Sequence, residues 1–287
     1  MSQMDNSAGN TPKSENENLN WPEKSWKFLF HLRKTNPLIQ CITNYVSMDI
    51  MANTLLAAGA SPAMINSLDE IPDFTPQVHA LCINVGTLSS TSLPAMKVAA
   101  KLAVQHGKPW VLDPVAAGSS GFRLKACLDL LELKPTVVRG NGSEIIALAR
   151  ASVGVSKGAD SLHESIDALE AAKSLAQASG AVVAVTGAVD IVTDGDQVIG
   201  AHNGVPMMQK ITATGCSVTA LIAAFVSIDP THALEATVSA LSIFGIAGEL
   251  GLESAKGPAS LRVNLIDSLY GLDEATVHRH VNVSPLS

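Results

Sequence analysis

The sequence predicts an α/β fold: a central, mostly parallel sheet flanked by helices, with an antiparallel hairpin late in the sheet. Two observations predict it. Short β-rich runs alternate with longer helical patterns from Leu38 onward, as in βαβ units, and Asp194-Gly195 stands between two β-rich runs, which is a strong hairpin signal. The eight β-rich runs are, in chain order, LIQCIT, SPAMI, ALCINV, PWVLD, TVVRG, AVVAVTG, VDIVTD and QVIGA.

The segments between these strands are predicted to be helical. MDIMANTLLAAGA and SLPAMKVAAKLAVQHG have apolar residues at helical spacing and end in Gly59 and Gly107, where glycine suits the left-handed end of a helix. No strand is expected between 216 and 269. The small-residue segment ALEATVSALSIFGIAGELG in that stretch is expected to pack as a helix on one face of the sheet.

The chain has no internal repeat and no linker, so residues 25–272 are predicted to form a single domain. Residues 1–24 are expected to be a disordered tail, and 273–287 a mobile one. The N-terminal segment has acidic residues, no arginine and no apolar run, unlike a transit peptide or a secretory signal. We therefore expect a cytoplasmic protein.

Composition limits the classes of function. With 287 residues, 47% of them hydrophobic, the chain can bury one large core. A net charge of -7 argues against nucleic-acid binding, and four scattered cysteines without a C-x-x-C pair argue against structural zinc or a disulfide framework. The longest membrane candidate, VTALIAAFVSI, has 11 residues, whereas a bilayer span needs about 20. A small-molecule ligand is therefore expected, with no membrane and no nucleic acid.

Ligands of open α/β sheets bind beyond the carboxyl ends of the strands. At those ends the sequence has Asp113, Arg139 with Glu144 shortly after it, and Thr186-Gly187. Two carboxylates and a guanidinium that converge there would suit a metal-bound polyphosphate.

Each of these residues also has a purely structural explanation. Asp113 precedes a proline and could cap a turn, and Glu144 could form a capping box with Asn141. Arg139 could be a solvated surface residue, and Thr186 could simply pack at a strand end. Their occurrence at neighbouring strand ends favours the site.

The stretch ITATGCSVTALIAAF predicts a polar turn followed by a buried helix whose first turn contains Cys216. The unpaired amides and positive dipole of a helix N-terminus bind anions and lower the pKa of a thiol, so we expect an anion site with a depressed Cys216 pKa. Thr212, in the same turn, is a candidate nucleotide contact. An inert buried thiol is the alternative.

Other nucleotide motifs are missing from the sequence. It has no P-loop motif, GNGSEI is an incomplete dinucleotide fingerprint, and the eight histidines form no H-E-x-x-H pair. P-loop enzymes, dinucleotide dehydrogenases and zinc proteases are therefore disfavoured.

Five strings, in order, resemble the hydroxyethylthiazole kinases of thiamine biosynthesis and salvage over nearly all of residues 37–270: CITNYVSMDIMANTLLAAGASPAM, DPVAAGSSGFR, RGNGSEI, VAVTGAVDIVTDG and ITATGCSVTALIAAF. The resemblance implies a ribokinase-like fold and transfer of the ATP γ-phosphate to the hydroxyl of 4-methyl-5-(2-hydroxyethyl)thiazole. It also implies Mg²⁺ and a homotrimer with active sites between subunits.

The resemblance further implies roles for individual residues. Arg139 and Thr186 would contact the ATP phosphates, with Gly187 and Thr212 in the same nucleotide site. Asn44 would lie near the phosphates and the metal, and Asp113 with Glu144 would orient Mg²⁺. Met64 and Gly215 would line the thiazole pocket, with Cys216 beside the reacting hydroxyl. Met64 could instead be a core methionine, and Asn44 a turn residue or helix cap.

Many ribokinase-like enzymes have an aspartate base where this chain has Cys216. Because phosphoryl transfer passes through a loose transition state, positioning and charge neutralisation dominate, and we expect the amides of Gly215 and Cys216 to stabilise the transferring group. Two alternatives stay open: a kinase of another small alcohol such as a hydroxymethylpyrimidine, and a nucleotide-responsive binding protein without turnover.

Overall fold

A central sheet organises the chain in the computed structural model, which describes residues 20–154 and 164–286. All eight predicted strands are confirmed, and a ninth joins them near the C-terminus. The strands are β1 (Leu38–Ile42), β2 (Ser61–Ala63), β3 (Ala80–Asn84), β4 (Trp110–Asp113), β5 (Val137–Asn141), β6 (Val182–Thr186), β7 (Asp190–Thr193), β8 (Val198–Ala201) and β9 (Val283–Pro285).

The order of the strands confirms the predicted fold class. The sheet runs β2-β1-β3-β4-β5-β6-β7-β8-β9; the strands from β2 to β6 pair in parallel and β7 to β9 pair antiparallel. The Asp194-Gly195 turn joins β7 to β8, as predicted. Gly195 has φ +103°, and the Asp194 side chain accepts hydrogen bonds from the amides of Asp196 and Gln197.

Helices cover both faces of the sheet. They are α1 (Trp21–Thr35), α2 (Met48–Ala58), α3 (Ile71–Phe74), α4 (Ser92–Gln105), α5 (Gly121–Leu131), α6 (Gly142–Val153), α7 (Glu164–Ser179), α8 (Thr214–Ile228), α9 (Ala233–Glu253), α10 (Pro258–Gly271) and α11 (Glu274–His280). Gly59 and Gly107 have the left-handed backbone expected after α2 and α4.

The helices bury two hydrophobic cores, one on each face. Helices α1, α2, α8 and α9 form one core with the sheet, and α4 to α7 form the other. The small-residue segment expected to pack on the sheet is α9. Within the described residues one helical segment, Pro230–Glu253, which contains α9 and the short turn before it, is long and apolar enough to cross a membrane. In its most apolar window 83% is buried inside the protein. That burial is typical of a core helix.

The predicted N-terminal boundary is placed too late in the chain. Helix α1 begins at Trp21, where Asn20 and Glu23 form a reciprocal capping box. The helix then buries Phe28 and Leu29 in the core, which anchors it to the domain. Residues 1–19 of the expected tail lie outside the described residues.

The segment 273–287, expected to be mobile, forms regular elements in the part that the structure describes. Helix α11 buries Val277 completely, and β9 pairs with the edge strand β8 with Ser284 opposite Gly200. Pairing with an open sheet edge orders a strand of three residues. That edge exists only in the folded chain.

Candidate active site

The carboxyl ends of the central strands meet the N-terminus of α8 at one edge of the sheet. In register, Asn84 of β3 lies opposite Asp113 of β4, and Asn141 of β5 lies opposite Thr186 of β6. Parallel pairing therefore brings together side chains that are far apart in sequence, as the sequence predicts for Asp113, Arg139 and Thr186.

Arg139 lies against the first turn of α8. Its side chain is 11% exposed and donates through Nη2 to Thr186 Oγ1. A Cβ placed on Gly215 would lie 2.6 Å from Arg139 Nη1, so only glycine permits this approach. Within the described part of the chain Arg139 Nε has no hydrogen-bond partner. A guanidinium packed on the positive end of a helix creates a site for an anion.

Asp113 lies next to this guanidinium, with its Oδ2 3.8 Å from Arg139 Nη1. The same oxygen accepts hydrogen bonds from Asn84 Nδ2 at 2.7 Å and Thr219 Oγ1 at 3.0 Å. Burial raises the pKa of Asp113 to about 6; Arg139 lowers it, and the nearby Glu144 raises it further. Asp113 Oδ1 is buried without a partner among the described residues.

Glu144 has the structural role that the sequence left open. Its Oε2 accepts from the Asn141 amide at 2.8 Å, and its own amide donates to Asn141 Oδ1, which completes a capping box at the start of α6. Its Oε1 accepts from the amide of Ala116 at 2.8 Å. Glu144 therefore joins the loop after β4 to α6, and each oxygen keeps a lone pair for another ligand.

Cys216 stands in the first turn of α8, as predicted, but its pKa differs from the expectation. Its Sγ accepts from Asn84 Nδ2 at 3.2 Å and Asn44 Nδ2 at 3.5 Å. Burial and the charge of Asp113 raise the thiol pKa, while the two asparagines and Arg139 lower it. The predicted depression of the pKa is wrong because burial and a neighbouring carboxylate outweigh the opposing groups.

A cavity of about 450 Å³ opens beside the Arg139 guanidinium. Its polar end is formed by Arg139 together with Thr186 and Gly215, both of which Arg139 approaches closely, and apolar side chains such as Val205, Leu241 and Phe244 also line the cavity. Its lining is Arg139, Asn141, Thr186, Gly187, Ala188, Asp190, Asn203, Gly204, Val205, Pro206, Met208, Gln209, Thr214, Gly215, Val218, Leu241, Phe244 and Gly245. The cavity suits a ligand with an anionic end and a flat apolar body.

The remaining predicted residues lie around this centre. Asn44 is 7% exposed and belongs to the same hydrogen-bonded cluster through Asn84. Thr212 is exposed in the turn before α8. Met64 is partly buried against the hydrophobic core, which agrees with its structural alternative. Neither Met64 nor Thr212 lines the cavity.

Sequence reasoning missed three side chains of the site. Asn84 ends β3, so the strand-end rule that selected Asp113 could have found it. Thr219 comes one turn after Cys216 on α8. Asp190 lines the cavity and accepts from the Gly187 amide at 2.9 Å; burial raises its pKa to about 6. The part of the cavity wall formed by residues 203–209 could not be predicted from the sequence, because its residue types are those of an ordinary surface loop.

The acidic residues match a magnesium ion that takes most of its ligands from elsewhere. Within residues 20–154 and 164–286, no group of three or more His, Cys, Asp or Glu side chains could hold a metal. Mg²⁺ commonly uses one or two carboxylates plus water and substrate phosphates. Asp113, with its unpartnered Oδ1, and Glu144, with free lone pairs, fit that pattern.

The order of the strands and the helices on both faces of the sheet define a ribokinase-like fold. The same fold is found in a ribokinase-like superfamily protein from Enterococcus faecalis V583, with a TM-score of 0.58, 11% identity and coverage of 88% of this chain and 95% of that one. The chain belongs to the hydroxyethylthiazole kinase family, whose model matches residues 29–275.

Individual relatives agree with this assignment. A hydroxyethylthiazole kinase from Arabidopsis thaliana is 67% identical over 274 residues, which cover 96% of this chain and 99% of the relative. One from Zea mays is 63% identical, covering 92% and 94%. The solved structure of a hydroxyethylthiazole kinase protein from Pyrococcus horikoshii OT3 has a TM-score of 0.86 at 38% identity, covering 92% of this chain and all of that one.

Proposed function

We propose that this protein transfers the γ-phosphoryl group of ATP to the side-chain hydroxyl of 4-methyl-5-(2-hydroxyethyl)thiazole. The observation that carries the proposal is the packing of the Arg139 guanidinium on Gly215 at the N-terminus of α8, at the polar end of the cavity. Asp113 lies on one side of the guanidinium, while Arg139 Nε has no partner among the described residues; a guanidinium with a free donor beside a helix N-terminus suits a polyphosphate.

Different residues around the cavity bind different parts of ATP. Arg139 and Thr186 hold phosphate oxygens and Gly187 contacts the nucleotide inside the cavity, while Thr212, in the exposed turn before α8, contacts the part of the nucleotide that extends beyond it. The flat base occupies the apolar end, between Val205 and Phe244. This orientation points the terminal phosphate toward the first turn of α8.

Positioning and charge neutralisation account for most of the proposed chemistry. The amides of Gly215 and Cys216 donate to the transferring phosphoryl group, and Arg139 balances its charge. The thiazole hydroxyl lies beside Cys216, with Met64 and Gly215 against the ring. Because the transition state is loose, a strong fixed base at position 216 is not required.

Mg²⁺ is the metal that we propose for this reaction. Asp113 and Glu144 would hold it, partly through water, and Asn44 would lie near it. When bound, Mg²⁺ neutralises charge on the phosphates and orients them. In the protein, Asn84 and Thr219 fix Asp113, and the capping box fixes Glu144.

We also infer a cytoplasmic homotrimer with active sites between subunits. Exposed apolar side chains adjoin the site and support this inference: Tyr45 is 75% exposed and Val46 60%, directly after Asn44, and Leu56 of α2 is 59% exposed. The ion pair between Asp49 and Arg262 links this surface to α10. A neighbouring subunit would cover these side chains and complete the thiazole pocket.

A coupled assay of ADP release tests the proposal and separates it from its alternatives. The purified protein is given MgATP with the thiazole alcohol, with hydroxymethylpyrimidine, or with neither. We expect ADP release to depend on the thiazole alcohol. Release that depends on the pyrimidine alone would indicate the sister kinase, and ATP binding without release would indicate a binding protein.

A further inference from the structure

Asn84 lies at the centre of the active-site cluster, and apart from its hydrogen bond to Asp113 the proposed reaction gives it no role. It ends β3, is fully buried, and makes hydrogen bonds to Asn44, Asp113, Cys216 and the amide of Gly86. Three of these four partners are residues to which we assign a role with ATP, metal or the thiazole hydroxyl.

The orientation of the Asn84 amide is fixed by the backbone. The amide N–H of Gly86 can only donate, and it lies 3.0 Å from Asn84 Oδ1. The oxygen must therefore face Gly86, and the nitrogen must face Asp113 and Cys216. Asn44 is fixed in the same way, because its Oδ1 accepts from the backbone amides of Val46 and Ser47.

This arrangement determines which partners remain for Asp113 and Cys216. One N–H of Asn84 reaches Asp113 Oδ2 at 2.7 Å, and its nitrogen also lies 3.2 Å from Cys216 Sγ. The sulfur accepts from Asn44 as well, so both of its lone pairs face asparagine donors. The thiol hydrogen must then point away from the asparagines, and the sulfur has no lone pair left to accept a proton.

We propose that Asn84 is a positioning residue, which holds the Asp113 carboxylate and the Cys216 thiol in a fixed relative geometry and makes the thiol a hydrogen-bond donor rather than a base. The inference rests on the proposed function for its catalytic consequence. Its geometric part, the hydrogen bond that Asn84 donates to the Cys216 sulfur, does not depend on whether the protein turns over substrate.

Two measurements on Asn84→Ala test the two parts. The first is the rate of Cys216 alkylation by iodoacetamide against pH, without substrates. Cys41, Cys82 and Cys127 are at most 1% exposed, so mass spectrometry follows Cys216 selectively. Loss of an N–H donor to the thiolate should move the midpoint of the curve of alkylation rate against pH upward by on the order of one pH unit. General loosening would instead raise the rate at every pH.

The second measurement is steady-state kinetics with both substrates. Loss of a charge-assisted hydrogen bond to Asp113 should lower kcat by about tenfold or more, with both KM values within roughly threefold. The matched control is Thr75→Val, which removes a buried donor to Gln40 elsewhere on the sheet and should change stability but neither kcat nor the midpoint. If the alanine variant does not fold, Asn84→Ser, which keeps a single donor, replaces it. The serine variant should also raise the alkylation midpoint and lower kcat.

The outcomes are distinct. An unchanged alkylation midpoint would overturn the geometry itself, whatever the activity. A shifted midpoint with an unchanged kcat would overturn the catalytic role of Asn84. A shifted midpoint in a protein whose wild type does not phosphorylate the thiazole would refute the proposed function and the catalytic role, while the donation by Asn84 to sulfur would stand.

Discussion

Substitution of Gly215 by alanine should separate activity from stability. The added Cβ would lie 2.6 Å from Arg139 Nη1, 2.9 Å from Nη2 and 3.1 Å from Cζ. The nearest approach is about 0.8 Å short of the 3.4 Å at which ordinary van der Waals contact begins. The guanidinium must therefore move by most of an ångström, away from the helix N-terminus and its contact with Thr186.

The substitution should lower the rate of the reaction without lowering the stability of the protein. A displacement of about 1 Å at a phosphate-binding group can cost roughly 100-fold in rate, so kcat/KM for ATP should fall by about 10- to 100-fold. Alanine is up to about 1 kcal/mol better than glycine in a helix, and a flexible side chain relieves the clash, so the melting temperature should not fall.

The assay is steady-state kinetics with ATP varied, combined with thermal melting. Gly121→Ala is the matched control, because Gly121 also begins a helix, α5, and its added Cβ would meet no atom within 4 Å. That variant should keep wild-type kinetics. A normal kcat/KM for ATP in Gly215→Ala would refute the idea that the approach of Arg139 to α8 forms the phosphate site.

Five further substitutions, at four positions, test the roles of individual side chains. Arg139→Ala should raise the KM for ATP far more than the KM for thiazole, because alanine cannot replace charge-assisted phosphate contacts; equal effects in kinetics with each substrate varied would count against the assignment. Glu144→Gln should melt near the wild-type temperature because glutamine can still accept at the cap, yet need more Mg²⁺ for half-maximal turnover; an unchanged magnesium titration would favour capping alone. Cys216→Ser should keep substantial activity and Cys216→Asp should keep or raise kcat, and loss of turnover in both folded variants would contradict a positioning role for the turn. Burial raises the pKa of Asp113 from 3.8 to about 6. Between pH 3.8 and about pH 6 the folded state therefore binds more protons than the unfolded state. The ionised carboxylate destabilises the fold increasingly as the pH rises through this window, and the full destabilisation is reached above it. Asp113→Asn should therefore be more stable than wild type by up to about 3 kcal/mol at pH 8 and similar to it at pH 4 in urea denaturation; a stability difference independent of pH would show that the burial argument is wrong.

Local patterns in the sequence were sufficient to predict most of the fold. Eight strands, the turn at Gly195 and the glycine ends of α2 and α4 follow from hydrophobic runs and turn chemistry, which depend on neighbouring residues only. Strand β9 could not be predicted in this way. Its three residues are ordered by the edge of β8, where Ser284 pairs with Gly200, 84 residues earlier in the chain.

The candidate site could be predicted to the extent that it follows strand ends. The convergence of Asp113, Arg139 and Thr186 follows from parallel register. The elevated pKa of Cys216 does not, because it depends on burial and on a carboxylate from another strand. The strand-end rule could have selected Asn84, but its hydrogen bonds to Asn44, Asp113 and Cys216 depend on the tertiary fold, because these residues are far from it in sequence.

The most direct test of the central claim follows the transferred group itself. The protein is incubated with Mg²⁺, ATP labelled in its γ-phosphate and 4-methyl-5-(2-hydroxyethyl)thiazole, and the products are identified by mass spectrometry and phosphorus NMR. We expect one labelled phosphate ester on the thiazole hydroxyl for every ADP formed, and loss of that ester in Arg139→Ala at the same ATP concentration. Label found only in inorganic phosphate, or a thiazole recovered without phosphate, would contradict it.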